Sequence, residues 1–297
     1  MSLLHYLEYG FIKYISNYVE RNTLEKSYKF AKKLGNLSYN IDKKHCNIAR
    51  DNLIKSFGNE KSPEEIEKII SQNFINIAYI GVEFLYLPKF DKSFLEKNVI
   101  VEGIHHFENA LKEGKGVINI TGHLGNWELL GALYTLYGFD LSVIARRQSN
   151  SLVNTFVLAQ RTNKNINIIP HKEANRKSLK ALKNNHILGV IADQDAGANG
   201  IFVNFFGRPA STARGPAVLY RKTESPVIMS FLLRDEPGKF RLIVEKPLKF
   251  IKTENKDNDV LFNTLLWSNI LEMYIRRYPE QWFWVHRRWK TKKTREK

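Results

Sequence analysis

Residues 116–138 read GVINITGHLGNWELLGALYTLYG, and their period changes halfway along. GVINIT is a short Ile/Val run of the kind buried strands use, whereas NWELLGALYTLYG repeats its apolar residues at helical spacing up to Gly138. His123 therefore falls in a strand-to-helix turn, and Gly122 and Gly125 permit that turn to be tight. Similar apolar runs recur at LSVIAR (141–146), INIIP (166–170), ILGVIAD (187–193), SPVIMSFLL (225–233) and FRLIVEKPL (240–248), with helix-like stretches between most of them. This alternation predicts an α/β fold with a mixed, largely parallel sheet flanked by helices.

Upstream the pattern is helical. Residues 62–88, SPEEIEKIISQNFINIAYIGVEFLYLP, supply Ser62 as N-cap, Pro63 at the first helical position and Glu65 three residues after the cap. Apolar residues then follow at 66, 69, 70, 74, 77, 80 and 84. The helix is predicted to end near Pro88. No repeat, low-complexity tract or linker interrupts the chain. Residues 1–297 are thus expected to form a single domain, with a helical N-terminal portion over 1–90 and an α/β core over 99–290.

With 43% hydrophobic residues the chain can bury a substantial core, which excludes disorder and fibrous architectures. Its formal net charge of +16 favours polyanionic partners: nucleic acid, an acidic carrier protein or an anionic membrane surface. Cys46 is the only cysteine, which excludes an intramolecular disulfide and a thiolate zinc site and suits a cytosol-facing location. Near the N-terminus, Leu4, Leu7, Phe11, Tyr14, Ile15, Tyr18 and Val19 form an aromatic-rich stripe at helical spacing, interrupted by Glu8 and Lys13. The pattern suits a helix over about 1–21 lying in a membrane interface, and equally one packed on its own domain; it suits neither a signal peptide nor a spanning helix.

His123 and Glu128 lie five positions apart. On a continuous helix they would be rotated by about 140° from each other. They can meet only if His123 precedes the helix and Glu128 reaches back from its first turn. In that geometry the helix N-terminus favours the neutral imidazole, and the carboxylate holds one ring N–H and leaves the other nitrogen free as a general base. An ordinary hydrogen-bonded pair would show the same spacing. No His-Glu-x-x-His pattern or second ligand cluster suggests a metal, and His105 and His106 read as a solvated helix start. With no Gly-x-Ser-x-Gly elbow, the natural target for such a base is a hydroxyl of the substrate.

The box TGHLGNWE (121–128) resembles the His-x4-Glu/Asp signature of the glycerolipid acyltransferase superfamily, in its lipid A late-acyltransferase branch of lauroyl and myristoyl transferases. IARRQSN, IADQDAG, VNFFGRPASTARGPAVLYRKTESPVI and PEQWFWVHRRWKTK resemble later blocks of that branch in the same order, over about residues 25–293. The resemblance implies a glycerolipid-acyltransferase-like fold and transfer of a fatty acyl group from an acyl-carrier-protein or coenzyme A thioester to a hydroxyl of an anionic lipid acceptor. It places the enzyme on the cytosolic face of the inner membrane and implies no cofactor; the N-terminus departs from the family, whose members commonly show a longer and more apolar anchor, and points to peripheral or monotopic attachment. His123 would be the base and Glu128 the group that orients it. Arg146 would bind an anionic head group or the thioester oxygen, although Arg147 stands where relatives often have proline and the choice between the two arginines stays open. Asp193 would orient Arg146 or simply cap a turn, while Asn126 belongs to the box as a substrate-binding position and Trp127 as packing.

Arg208 and Arg214 flank Thr212, a candidate N-cap for the helix at GPAVLY, where phosphate would bind; a solvated basic loop is the alternative. The C-terminal WFWVHRRWKTKKTREK combines three tryptophans with basic residues in a pattern suited to a bilayer surface, with His286 as part of that surface or of the core. The sequence contains no RNA- or DNA-binding motif, which argues against nucleic acid as the partner. A non-catalytic membrane-surface protein would have no use for His123 and Glu128 in a glycine turn. An acyltransferase of the same fold acting on a lysophospholipid or another glycolipid is the closer rival.

Overall fold

A computed structural model describes residues 2–293. The chain opens with α1 (Leu3–Arg21), α2 (Leu24–Ile41), α3 (Lys43–Phe57), α4 (Pro63–Tyr86) and α5 (Lys92–Asn98). It continues through β1 (Val99–Glu102), α6 (His105–Leu111), β2 (Val117–Thr121), α7 (Trp127–Leu136), β3 (Leu141–Ala145), α8 (Ser151–Thr162), β4 (Asn167–Pro170), α9 (Ala174–Lys183) and β5 (Ile187–Ile191). The last elements are β6 (Ile201–Phe205), β7 (Arg208–Thr212), α10 (Gly215–Thr223), β8 (Val227–Glu236), β9 (Lys239–Val244) and α11 (Lys256–Arg277). The predicted capping box starts α4: Ser62 Oγ accepts from the Glu65 N–H, and Glu65 Oε2 accepts from the Ser62 N–H at 2.7 Å.

Seven strands form one sheet in the order β1-β9-β8-β2-β5-β3-β4. The run β8-β2-β5-β3-β4 is parallel throughout, β9 is antiparallel to β8, and β1 is parallel to β9. The fold is α/β and mostly parallel, with a helical N-terminal portion. Each of the six apolar runs became a strand. Residues 201–212, which lack such a run, form the separate β6–β7 hairpin, and Thr212 ends β7 instead of capping the next helix. The N-cap of α10 is Arg214, with no side-chain cap bond.

β2 is buried at all five positions because helices cover both faces of the sheet. Ile118 and Ile120 pack in one core with Trp267, Leu271 and Ile275 of α11, and Val117 packs in the other with Leu129, Leu130 and Leu133 of α7. The N-terminal helices are stitched on by buried amides: Asn52 Nδ2 donates to the Trp284 and His286 carbonyls, and Asn73 Nδ2 to those of Glu280 and Trp282.

Two segments expected at a membrane surface differ from each other. In α1 the stripe divides: Ile15 and Val19 are buried beside Ala31 and Val82, while Leu4, Leu7, Phe11 and Tyr14 are 57–69% exposed. The α1 backbone is held at the N-cap of α8, where Asn150 Nδ2 donates to the His5 carbonyl at 2.8 Å and to Glu8 Oε2 at 2.9 Å. At the C-terminus the expectation of an aromatic surface fails. Trp282, Trp284 and Trp289 are buried against Phe205 and Phe206, and Arg288 is buried too, donating to the Ser211 carbonyl and Thr212 Oγ1. Their apolar area is spent on the core, so a bilayer cannot use it. Arg287, Lys290, Lys292 and Lys293 stay exposed; Arg295 and Lys297 of the basic run lie outside the described residues.

Candidate active site

The turn after β2 is held from three sides. Gly125 has φ +65°, and a Cβ there would lie 2.1 Å from the Leu232 carbonyl oxygen, so only glycine fits. Its N–H donates to the Gln281 carbonyl, the Asn126 N–H donates to the Leu232 carbonyl at 2.8 Å, and the His123 carbonyl accepts from the Phe283 N–H at 3.0 Å. At Gly122 a Cβ would lie 2.9 Å from Leu271 Cδ1 and 3.1 Å from Asp193 Oδ2, so a side chain there would crowd the carboxylate.

The group that holds His123 is Asp193. His123 Nδ1 lies 2.7 Å from Asp193 Oδ1, and the His123 backbone N–H donates to Asp193 Oδ2 at 2.8 Å. Trp282 Nε1 donates to the same Oδ2 at 2.8 Å. The register explains the meeting across 70 positions: Thr121 and Ile191 are partners in the parallel β2–β5 pair, and His123 and Asp193 each stand two residues beyond. Both leave the carboxyl ends of adjacent central strands, and their chains then diverge, which is the crevice where open α/β sheets place ligands.

Asp193 is 2% exposed. Burial alone would raise its pKa, but the His123 charge and the hydrogen bonds from His123 and Trp282 outweigh it and hold the carboxyl at about 2. An ionised carboxylate only accepts, so Nδ1 carries a proton, and in the neutral ring Nε2 is the nitrogen left with the lone pair. The ring stands against Trp127 at 4.8 Å in an edge-to-face contact and against Phe283 at 5.9 Å, with its side chain 20% exposed and Gln194 Nε2 3.5 Å from Nε2.

Glu128 does not hold the imidazole. It lies in the first turn of α7 and accepts both forks of Arg161 on α8, from Nε at 3.1 Å and Nη2 at 2.6 Å. A bidentate guanidinium offers this carboxylate two charge-assisted bonds, whereas the ring N–H is already taken by Asp193. Asp193 in turn does not orient Arg146. That arginine is exposed just beyond β3, and Arg147 beside it is exposed too. Asn126 is fully buried: its Oδ1 accepts from the Leu129 N–H as the N-cap of α7 and its Nδ2 donates to Glu83 Oε2, which leaves it no surface for substrate.

Arg208 is stacked on the Trp289 ring at 3.6 Å, burial lowers its pKa, and its Nη2 is 3.3 Å from Ser56 Oγ. Arg214 is exposed, and among the described residues no hydrogen bond or ion pair joins Arg208 or Arg214 to His123 or Asp193. His286 Nε2 accepts from the Asp195 N–H at 3.1 Å, and burial lowers its pKa, so it is a neutral structural acceptor beside the site. Sequence reasoning missed Asp193 as the imidazole partner, Arg161 and Trp282. The available signal was that GH after one buried run and AD after another sit at equivalent offsets, which becomes decisive only once β2 and β5 are known to be neighbours.

The family model described as bacterial lipid A biosynthesis acyltransferase matches residues 21–291 of this chain. A lipid A biosynthesis palmitoleoyltransferase from Escherichia coli (strain K12) is 28% identical over 264 residues, covering 88% of this chain and 83% of the relative. The lipid A biosynthesis lauroyltransferase of the same organism is 24% identical over 269 residues, covering 89% and 85%. A phosphatidylinositol mannoside acyltransferase from Mycolicibacterium smegmatis is 24% identical over 246 residues, covering 81% and 78%.

Proposed function

Because this chain belongs to the bacterial lipid A biosynthesis acyltransferase family, and is therefore an acyltransferase, we propose that it moves a fatty acyl chain from an acyl-carrier-protein or coenzyme A thioester to a hydroxyl of a lipid A precursor. The observation that carries this reading is His123, with Nδ1 bound to the buried Asp193 and Nε2 met only by Gln194 Nε2 at a long 3.5 Å, which a substrate hydroxyl can displace. Nε2 takes the proton of the acceptor hydroxyl as its oxygen attacks the thioester carbonyl. The tetrahedral intermediate then expels the thiolate, and the imidazolium returns the proton to sulfur. Asp193 fixes the tautomer and stabilises the imidazolium between the two steps. Glu128 acts indirectly, tying α7 to α8 through Arg161 beside the base.

Arg146, with Arg147 next to it, is exposed at the same carboxyl edge of the sheet, which supports reading these cations as the contact for an anionic head group. Arg214 is exposed at the start of α10 and is a second candidate; Arg208 is committed to Trp289. The exposed apolar half of α1 and the net charge of +16 support a peripheral seat on the cytoplasmic face of an anionic inner membrane, with the N-terminal helices and the α/β core as one catalytic unit. Among the described residues no helix is long and apolar enough to cross a membrane. A glycolipid acceptor other than lipid A is the second reading, favoured by the relative named for phosphatidylinositol mannoside.

The test is a purified assay with acyl thioester and candidate lipid acceptors, read by mass spectrometry. General-base catalysis contributes about 10² to 10⁴ in rate, and His123→Ala is expected to lose at least that factor while staying folded. Near-parent activity in that variant would remove the site. Acylation of a mannoside acceptor in preference to a lipid A precursor would replace the first acceptor by the second.

A further inference from the structure

Glu83 of α4 is fully buried, far from His123 in sequence, and the chemistry above makes no use of it. Its two oxygens accept from four donors. Tyr28 Oη and Arg234 Nη1 meet Oε1, while Asn126 Nδ2, at 2.5 Å, and Arg234 Nη2, at 2.8 Å, meet Oε2. Arg234 is held as firmly. Its Nε donates to Asn76 Oδ1, and its backbone N–H and carbonyl are both engaged by the Gln281 side chain at 2.9 Å. Gln281 closes a ring of contacts, because its own carbonyl accepts the Gly125 N–H.

The turn that carries His123 is therefore gripped twice by one buried network, at Gly125 through Gln281 and at Asn126 through Glu83. A buried ion pair is a poor source of net stability, since well-packed apolar residues of similar volume serve as well or better. It is a good source of fixed position when every donor and acceptor is satisfied, as here.

We infer that Glu83, backed by Arg234, is a positioning residue for His123 that acts through the Asn126 side chain. The inference rests on the reading of His123 as the base.

Asn126→Ser tests it, because serine keeps an oxygen to cap α7 but is too short to reach Glu83. Two readouts are taken well below the melting temperature. The first is the downfield proton NMR signal of the His123 Nδ1–H held by Asp193, identified by its loss in His123→Ala; it is expected to broaden or move in Asn126→Ser. The second is steady-state acyl transfer, where kcat is expected to fall by about 10² with KM little changed, the size expected for a misplacement of about 1 Å.

An Asn126→Ser protein that is less stable yet keeps the parent signal and parent kcat would make the network purely structural and overturn the inference. Should Asn126→Ser not fold, Glu83→Gln alone is read by the same two measurements. A shifted signal in a chain whose parent transfers no acyl group would leave the positioning intact and sink the acyltransferase reading of the site.

Discussion

Two carboxylates approach the His123 turn from different sides, and their surroundings set different roles for them. Asp193 is sealed beneath the sheet edge, where the donors that reach it are the His123 ring, the His123 amide and the Trp282 indole. Glu128 lies about one-fifth exposed and is met by the full fork of Arg161. A carboxylate already neutralised by a guanidinium has little field left to stabilise an imidazolium. One that meets only neutral donors and the imidazole keeps its field for that purpose. Sequence proximity favours Glu128, whereas the charge balance favours Asp193.

The comparison breaks most sharply at Asp193. Asp193→Asn keeps the shape but no longer enforces the Nδ1–H tautomer, and acyl transfer is expected to fall by about 10² or more. Combined with His123→Ala it should add nothing, because the two act as a unit. A multiplicative loss, measured as kcat/KM in the double variant, would give Asp193 an independent role.

Glu128→Gln and Arg161→Ala come next, with losses of about tenfold or less each and no further loss when combined, as expected for one pair acting by position. If Glu128→Gln proves more damaging than Asp193→Asn, the assignment of the two carboxylates is inverted.

The acid limb sharpens the same contrast. The folded-state pKa of Asp193 is depressed to about 2, so its contribution is complete above the ordinary aspartate range and fades as pH falls toward about 2. The stability difference between parent and Asp193→Asn, from chemical denaturation, should shrink on acidification below about pH 4. A difference independent of pH would mean that the carboxylate contributes by packing alone. The smallest effect is expected from Arg146→Ala: a raised KM for the anionic substrate with an unchanged melting temperature, and a weaker change for Arg147→Ala. Equal KM values in variant and parent would remove Arg146 from substrate binding.

Much of this architecture is legible in the sequence. Strands and helix starts leave local marks, so the six Ile/Val runs and the Ser62–Glu65 box read correctly. His123 is legible for the same reason, since the period changes around it. Its partner is not, because strand order is a long-range property and no local pattern says that residue 191 lies beside residue 121. The arginines mislead for a related reason: charge type is visible in a sequence, but whether a guanidinium is spent on Glu128, on Trp289 or on nothing depends on packing. The C-terminal tryptophans carry the same lesson, since aromatic-basic composition describes a membrane belt and a buried aromatic cluster equally well.

Of the five tryptophans, Trp267, Trp282, Trp284 and Trp289 are buried, while Trp127 is partly exposed with its ring against the His123 imidazole. The molecule therefore carries its own optical reporter. The four buried indoles give a blue-shifted background emission, Trp282 among them through its bond to Asp193, and the fifth samples whatever touches His123. A charge gained by that imidazole lies beside an electron-rich ring, so proton transfer and occupancy of the crevice can be followed as changes in Trp127 emission, with Trp127→Phe as the dark control.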